Sequence, residues 1–296
     1  MKNMNRNSRK ISPFSLINTL VLLIICTLFL IPFFHLLAKS LSGAYPVIRG
    51  EVGLWPKDFQ LDSYINVIGN RQFRNSFLSS TFLATVGTFI SVLLTIMVAY
   101  PLSKPYFKGR KIILYAFVIS WLLTPSIVPV FFLIKNLGLM NNLFSVILVN
   151  VIYTFNMLIV KTYFEGMPES LSEAAQIEGA SNLRIFFTII APLAKPVIAT
   201  ITIYSVFGYW NSYFFPMLFI SKPHLRPIQV YIYELVYAAM GSTSGNISDV
   251  ASKNVSSIPD VVRSTSVFVS IVPVMMIYPF AQKHFVKGML IGSVKG

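Results

Sequence analysis

Residues 165–193 hold the densest group of side chains able to grip another molecule. Glu165, Glu169, Glu173 and Glu178 are four of the ten acidic residues in a 296-residue chain that carries 24 lysines and arginines. They lie in a polar, helix-forming island between Lys161 and Pro192, with long apolar segments on either side. Pro168 suits a first helical turn and Gly179 a left-handed stop, so the pattern predicts a helix over 169–178 of about 15 Å at 1.5 Å per residue. Spacings of three and four put Leu171, Ala174, Ala175 and Glu178 on one face. Ser181 can cap a second short helix through Phe186 and Phe187, ahead of Pro192 and Pro196. A loop this long and this patterned is built to touch something. The alternative is a solvated amphipathic linker lying on the membrane, but anionic headgroups repel such a cluster of acids.

A second group of residues could meet a neutral, hydroxyl-rich molecule. Tyr204, Gly208 and Asn211 recur at helical spacing beside Tyr209, Trp210 and Tyr213, and Asn150, Tyr153 and Asn156 share one broad face upstream. Asn211 stands about ten residues from the end of its apolar segment, roughly 15 Å deep, near the middle of a hydrocarbon core of about 30 Å. Amides there can either bond across helices or line a cavity. Aromatic rings offer an apolar body with a polar handle, which makes Asn156, Tyr204, Tyr209, Asn211 and Tyr213 candidates for lining a path; ordinary helix packing is the other reading for each.

Other chemistry is missing from the sequence. There is no G-x-x-x-x-G-K-[ST] phosphate loop, no H-E-x-x-H and no nucleophile elbow. The single cysteine, Cys26, leaves no disulfide framework or thiolate metal site. The apolar segments carry essentially no acids, whereas ion-driven carriers usually place ionisable groups inside the membrane. An ion-driven carrier and a membrane enzyme both lose ground to a pathway that is gated passively or driven by an attached machine.

The elements that position these residues follow from composition. The chain is 55% hydrophobic and 11% charged, against about 25% charged for a globular domain. Six charge-free windows reach the roughly 20 residues of a helical span: Lys10 to Lys39, Arg74 to Lys104, Lys111 to Lys135, Lys135 to Lys161, Lys195 to Lys222 and Arg263 to Lys283. The fold class is therefore an all-α polytopic membrane protein with six transmembrane helices. They form one transmembrane domain over 1–296, with tails at 1–12 and 282–296 and loops at 165–193 and 222–263. The first apolar stretch exceeds the 7–15 residues of a cleavable signal and is read as a retained span. The net charge of +14 is concentrated in short segments that the positive-inside rule puts in the cytoplasm with both termini, so nucleic acid is not an expected partner.

Within the spans, Ser76, Ser80, Ala84 and Thr88 form a face of small residues suited to close helix packing, and Pro101 is expected to end that span. Pro125 and Pro129 suggest a kink or hinge in the third span; plain tolerance is the alternative. The stretch Gly241 to Ser257 has a flexible composition, and its two N-x-S patterns, at Asn246 and Asn254, are read as chance.

The island also carries a resemblance. Glu173-Ala174-Ala175, then Gly179 after a three-residue gap, Ile189 and Pro192 resemble the EAA loop in membrane subunits of bacterial ATP-binding-cassette importers. That family usually has Asp where Glu178 stands and Leu where Ala191 stands. Ala99-Tyr100-Pro101-Leu102-Ser103, Gly208-Tyr209-Trp210-Asn211 and Tyr278-Pro279-Phe280-Ala281-Gln282-Lys283 look like its carbohydrate-uptake branch, closest to subunits importing complex oligosaccharides and polysaccharide fragments. The resemblance implies a permease in the bacterial cytoplasmic membrane. It implies a second related permease, two ATPase subunits carrying ATP and Mg, and an extracytoplasmic sugar-binding protein as partners. No cofactor or catalytic role is implied on this chain. The loop between the fourth and fifth spans would be a coupling helix docking on an ATPase through Glu173, Ala174, Ala175, Glu178, Gly179, Ser181 and Phe186, and the C-terminal tail would touch the ATPases too.

Overall fold

A computed structural model describes residues 13–123, 126–241 and 260–292. Among these residues the regular structure is helical, apart from one antiparallel bridge between Ser42 and Phe59. Helix α1 spans Pro13–Ser40, with two short helices, α2 (Ala44–Ile48) and α3 (Asp62–Gly69), after it. Helix α4 (Arg71–Phe82) runs through a π-helical turn, Leu83–Gly87, into α5 (Thr88–Ser103). Then come α6 (Arg110–Leu122), α7 (Ile127–Asn136), α8 (Leu143–Val149), α9 (Thr154–Glu165) and α10 (Ser170–Ile177). Helix α11 (Asn182–Ile185), a second π turn (Phe186–Ile190) and α12 (Ala191–Leu193) lead into α13 (Lys195–Trp210). The described chain finishes with α14 (Phe214–Phe219), α15 (Ile228–Gly241) and α16 (Asp260–Gly292).

Three of these runs are long and apolar enough to cross a membrane: Pro13–Ser40, Arg71–Ser103 and Asp260–Pro279. Counting each bent pair as one span raises the number to six. The pairs are α6 with α7, α8 with α9 at a bend of 53°, and the 182–193 segment with α13 at 82°. By length and composition, three unbroken runs and three bent pairs allow up to six crossings.

Several expectations need correcting. Pro101 does not end its span: it lies inside the last turn of α5, which closes at Ser103. The stop comes from the next proline. Lys104 is extended at φ −86° and ψ 127°, because a residue before proline, here Pro105, is pushed out of the helical region. Asn150, Tyr153 and Asn156 do not share a helix face, since Asn150 caps the end of α8 and Tyr153 the start of α9. Asn211 is not mid-helix; it caps the end of α13, and residues 211–213 separate α13 from α14. The 222–263 segment holds the 14-residue helix α15, and α16 continues past Ala281 to Gly292. Pro129 lies inside α7. Pro125, the 1–12 tail, residues 242–259 with Asn246 and Asn254, and residues 293–296 lie outside the described residues.

The small-residue face packs as its composition suggests. Ser76, Ser80, Ala84 and Thr88 are all buried, and the Ser80 hydroxyl accepts a hydrogen bond of 2.8 Å from the Ile228 amide at the start of α15. Helix α15 seats Ile228, Tyr231 and Leu235 in a core with Phe73, Ala84 and Trp210. Its entry is pinned by Arg226, which pairs with Glu234 and donates to the carbonyls of Ile220 (3.3 Å) and Ser221 (3.1 Å). Burial pushes the Glu234 carboxyl above the usual carboxylate range, with Arg226 acting in the opposite sense.

Candidate functional site

The acidic island folds into a helix with a defined stop. Helix α10 starts after Glu169, whose carbonyl accepts from the amides of Ser172 (2.8 Å) and Glu173 (3.1 Å). At the other end Gly179 has φ +80°. Its amide bonds to Gln176 O at 2.9 Å and that of Ala180 to Ala175 O at 3.0 Å. This is the paired closure that turns a chain sharply after a left-handed residue. Ser181 then accepts from the Arg184 amide at 3.4 Å and starts α11.

Burial divides the island into two faces, and the division differs from the expected one. Ser172 and Ala175 point inward, while Glu173, Ala174, Ile177 and Glu178 are exposed. Helical geometry accounts for this: one stripe at spacing three is buried, so positions 173, 174 and 177 fall on the far side. The face proposed from spacing, Leu171 with Ala174, Ala175 and Glu178, is therefore not a unit. Sequence reasoning also missed Ile177, whose side chain is 88% exposed at the tip of the island. A lone large apolar residue opposite the small buried stripe was the signal available.

The inward face is anchored in the spans. Ala175, Ile185, Phe186 and Ile190 share one core with Ile96, Ala99 and Leu102 of α5, Met157, Val160 and Phe164 of α9, and Val197 and Ile201 of α13. Tyr100, Phe164 and Phe186 form a ring cluster, with centroids 5.8 Å apart for Tyr100–Phe164, 5.1 Å for Tyr100–Phe186 and 6.4 Å for Phe164–Phe186. Edge and tilted geometries of this kind favour aromatic pairs beyond their area alone. Glu165 joins the 104–110 turn to α9, pairing with Lys161 at 2.8 Å and Arg110 at 3.9 Å. A cavity of about 320 Å³ opens between that turn and α11, lined by Tyr100, Lys104, Tyr106, Phe107, Leu183 and Phe186. Burial, with Tyr100 and Glu169 nearby, pushes the Tyr106 phenol above its ordinary value. Glu165 is thus committed within the fold, and Glu169, Glu173 and Glu178 face outward.

The five path candidates part company. Tyr209 is 1% exposed, and its hydroxyl donates to the carbonyls of Ile147 and Asn150, each at 3.3 Å. Those carbonyls sit where α8 breaks from α9, so Tyr209 satisfies backbone groups freed by a broken span. In this chain it is buried and bonded to backbone. Asn156 is also buried. Tyr204, Asn211 and Tyr213 are exposed, and the Asn211 side-chain oxygen accepts from Gln229 of α15 at 3.3 Å.

Comparison with known proteins covers nearly the whole chain. The family model for the binding-protein-dependent transport system inner membrane component matches residues 91–291. The polygalacturonan/rhamnogalacturonan transport system permease protein YtcP of Bacillus subtilis (strain 168) is 36% identical over 278 residues, which is 94% of this chain and 95% of that protein. Protein LplC of the same organism is 33% identical over 268 residues, 90% of each chain. A solved bacterial ABC transporter involved in import of the acidic polysaccharide alginate contains a chain with a TM-score of 0.82 and 28% identity, covering 94% of this chain and 98% of that one. With a matched family model, relatives of this identity and an anchored island between bent spans, the chain belongs to the inner membrane components of binding-protein-dependent transport systems.

Proposed function

We propose that this chain is the membrane-spanning permease subunit of an ATP-driven importer for oligosaccharides. It forms the path with a second, related permease, lies in the bacterial cytoplasmic membrane with both termini in the cytoplasm, and receives sugar from an extracytoplasmic binding protein. ATP and Mg act on two separate ATPase subunits, and this chain carries no catalytic residue. The observation that carries the reading is the two-faced island: Glu173, Ala174, Ile177 and Glu178 turned outward, Ala175 and Phe186 fixed in a core shared by three spans. An ATPase that closes on nucleotide can bias an inward–outward equilibrium only through groups it grips differently in the two states. The outer face supplies the grip, and the Gly179 turn with Ser181 and Phe186 carries the movement into α9 and α13. Relatives that transport polygalacturonan or alginate support an oligosaccharide as cargo. Asn156 and Tyr204 remain path candidates on α9 and α13.

The test is affinity purification in mild detergent from native membranes, with mass spectrometry of what accompanies the chain. A second six-span permease, an ATPase and a sugar-binding protein are expected. Recovery of the chain alone or as a homodimer, beside an intact control complex, overturns the assignment.

A further inference from the structure

Lys104 is only 8% exposed, yet its ammonium has no hydrogen bond or ion pair among the described residues. Its neighbour is the Tyr100 ring, whose centroid lies 5.6 Å from the nitrogen. A cation–π contact offsets part of the cost of burying a charge, and buried charges are otherwise paired. The nitrogen is not sealed off. Lys104 lines the cavity of about 320 Å³ between the 104–110 turn and α11, together with Met97, Tyr106, Phe107, Asn182 and Leu183. Nearby acids do not supply the missing charge. Glu165 is held by Lys161 and Arg110, and Glu169, close enough to act on the Tyr106 phenol, does not line the cavity.

The second observation is where this cavity lies along the span. The apolar run Arg71–Ser103 ends just before Lys104, so the ammonium stands where hydrocarbon gives way to headgroups. Met97 lies two turns back on α5, about 10 Å deeper, at the level of acyl chains. The cavity therefore has an apolar end at Met97 and a charged end at Lys104. Tyr106 and Phe107 supply the aromatic rings favoured at that boundary. Lys108 and Lys111 extend the positive charge along the turn, exposed and with no ion pair among the described residues. Basic pockets of this kind on the cytoplasmic side of membrane helices suit anionic headgroups.

We propose that this cavity binds an anionic phospholipid of the inner leaflet, with its phosphate on the Lys104 ammonium and an acyl chain laid along Met97. The Asn182 amide and the Tyr106 hydroxyl are the further donors within the cavity wall. A phosphate on a water-soluble molecule shares the headgroup chemistry but has no use for the apolar end. The proposal takes only the side of the membrane from the importer reading. Tyr100 and Phe186, whose rings tie the island to α5, also line the cavity, so a bound headgroup sits against that link.

The experiment uses the complete importer purified in mild detergent and titrated with phosphatidylglycerol, with bound lipid counted by native mass spectrometry. Lys104→Met is expected to weaken one bound lipid about tenfold, the loss of a hydrogen bond to a charged group. Lys104→Arg should hold it within about threefold, since the charge and the donors remain. Leu183→Trp keeps Lys104 and fills the cavity from an exposed position on its wall. It should weaken the same lipid, which decides the matter if Lys104→Met does not fold. Unchanged lipid affinity in Leu183→Trp, or in a folded Lys104→Met complex, overturns the site. Equal binding of zwitterionic phosphatidylcholine overturns the anionic preference, and displacement by glycerol phosphate at an equal concentration replaces the lipid with a soluble phosphate. Lipid can be counted on the recovered chain whether or not an ATPase accompanies it, so failure of the importer reading and failure of this site are distinct results.

Discussion

The ring of Tyr100, in the last turn of α5, meets the ring of Phe186 at 5.1 Å between centroids, and through this contact the acidic island reaches a span it is not joined to in sequence. Phe186 is 3% exposed and also touches Phe164 of α9. Removing the ring opens a cavity where three elements converge, which in well-packed cores costs about 3–5 kcal/mol. Phe186→Ala should lower the thermal unfolding midpoint of the detergent-solubilised complex and reduce the stimulation of ATP hydrolysis by the sugar-loaded binding protein. Phe186→Leu, which refills much of the space, should recover most of both. An unchanged midpoint in Phe186→Ala would remove this ring from the link.

The adjacent alanines of the island should behave differently under the same change. Ala174 is exposed and Ala175 is 7% exposed in the shared core. A carboxylate at 175 must be buried without a partner, which costs several kcal/mol, so Ala175→Asp should lower the amount of folded protein in the membrane. Ala174→Asp should leave expression and the unfolding midpoint intact yet reduce recovery of the ATPase with the permease. Equal loss of folded protein in both variants would contradict the two-faced arrangement; detergent-resistant yield and ATPase co-recovery measure it.

Gly179 allows a separation of backbone strain from crowding. Its φ is +80° and no atom lies within 4 Å of where a Cβ would stand. The cost of a side chain is therefore conformational: about 1–2 kcal/mol for Ala in a left-handed position, and more for a β-branched residue, for which positive φ is a true outlier. Gly179→Ala should retain most uptake, Gly179→Asn nearly all, since Asn tolerates this region, and Gly179→Val should lose coupled uptake while still inserting in the membrane. Uptake falling equally in Asn and Val variants would point to contact with a partner instead of the turn.

The island was legible because its signals are local: Gly179 at the stop, Ser181 at the next cap and Pro192 beyond. The six apolar windows were legible for the same reason, since length without charge is the membrane signal. The breaks were not. Between Val149 and Thr154, and between Trp210 and Phe214, no glycine or proline marks an interruption. The first is held by Tyr209, whose hydroxyl reaches carbonyls 59 and 62 residues away in sequence. Helical spacing therefore assigned Asn150, Tyr153 and Asn211 to faces that do not exist. The direction of Ala174 and Ala175 was equally hidden, because two small apolar neighbours look alike until the core beneath one of them is known. Helix α15 was hidden too, because it sits in a segment that composition assigns to a loop.

The last prediction concerns that break. A Cβ on Gly87, in the π turn between α4 and α5, would stand 3.2 Å from the Tyr209 ring, closer than ordinary van der Waals contact. The ring cannot retreat freely, because its hydroxyl bonds Ile147 O and Asn150 O. Gly87→Ala should therefore destabilise by about 1–3 kcal/mol, the usual range for overpacking, seen as a lower unfolding midpoint. Tyr209→Phe keeps the ring and loses the hydroxyl; Ile147 O keeps the Asn150 amide at 3.2 Å, while Asn150 O loses this donor, at about 1 kcal/mol or more. In the double variant the ring is untethered and can shift away from the new methyl group. Its loss should then be smaller than the sum of the two single losses, a non-additivity expected only for residues in contact. Strict additivity would mean that Tyr209 holds neither the π turn nor the break.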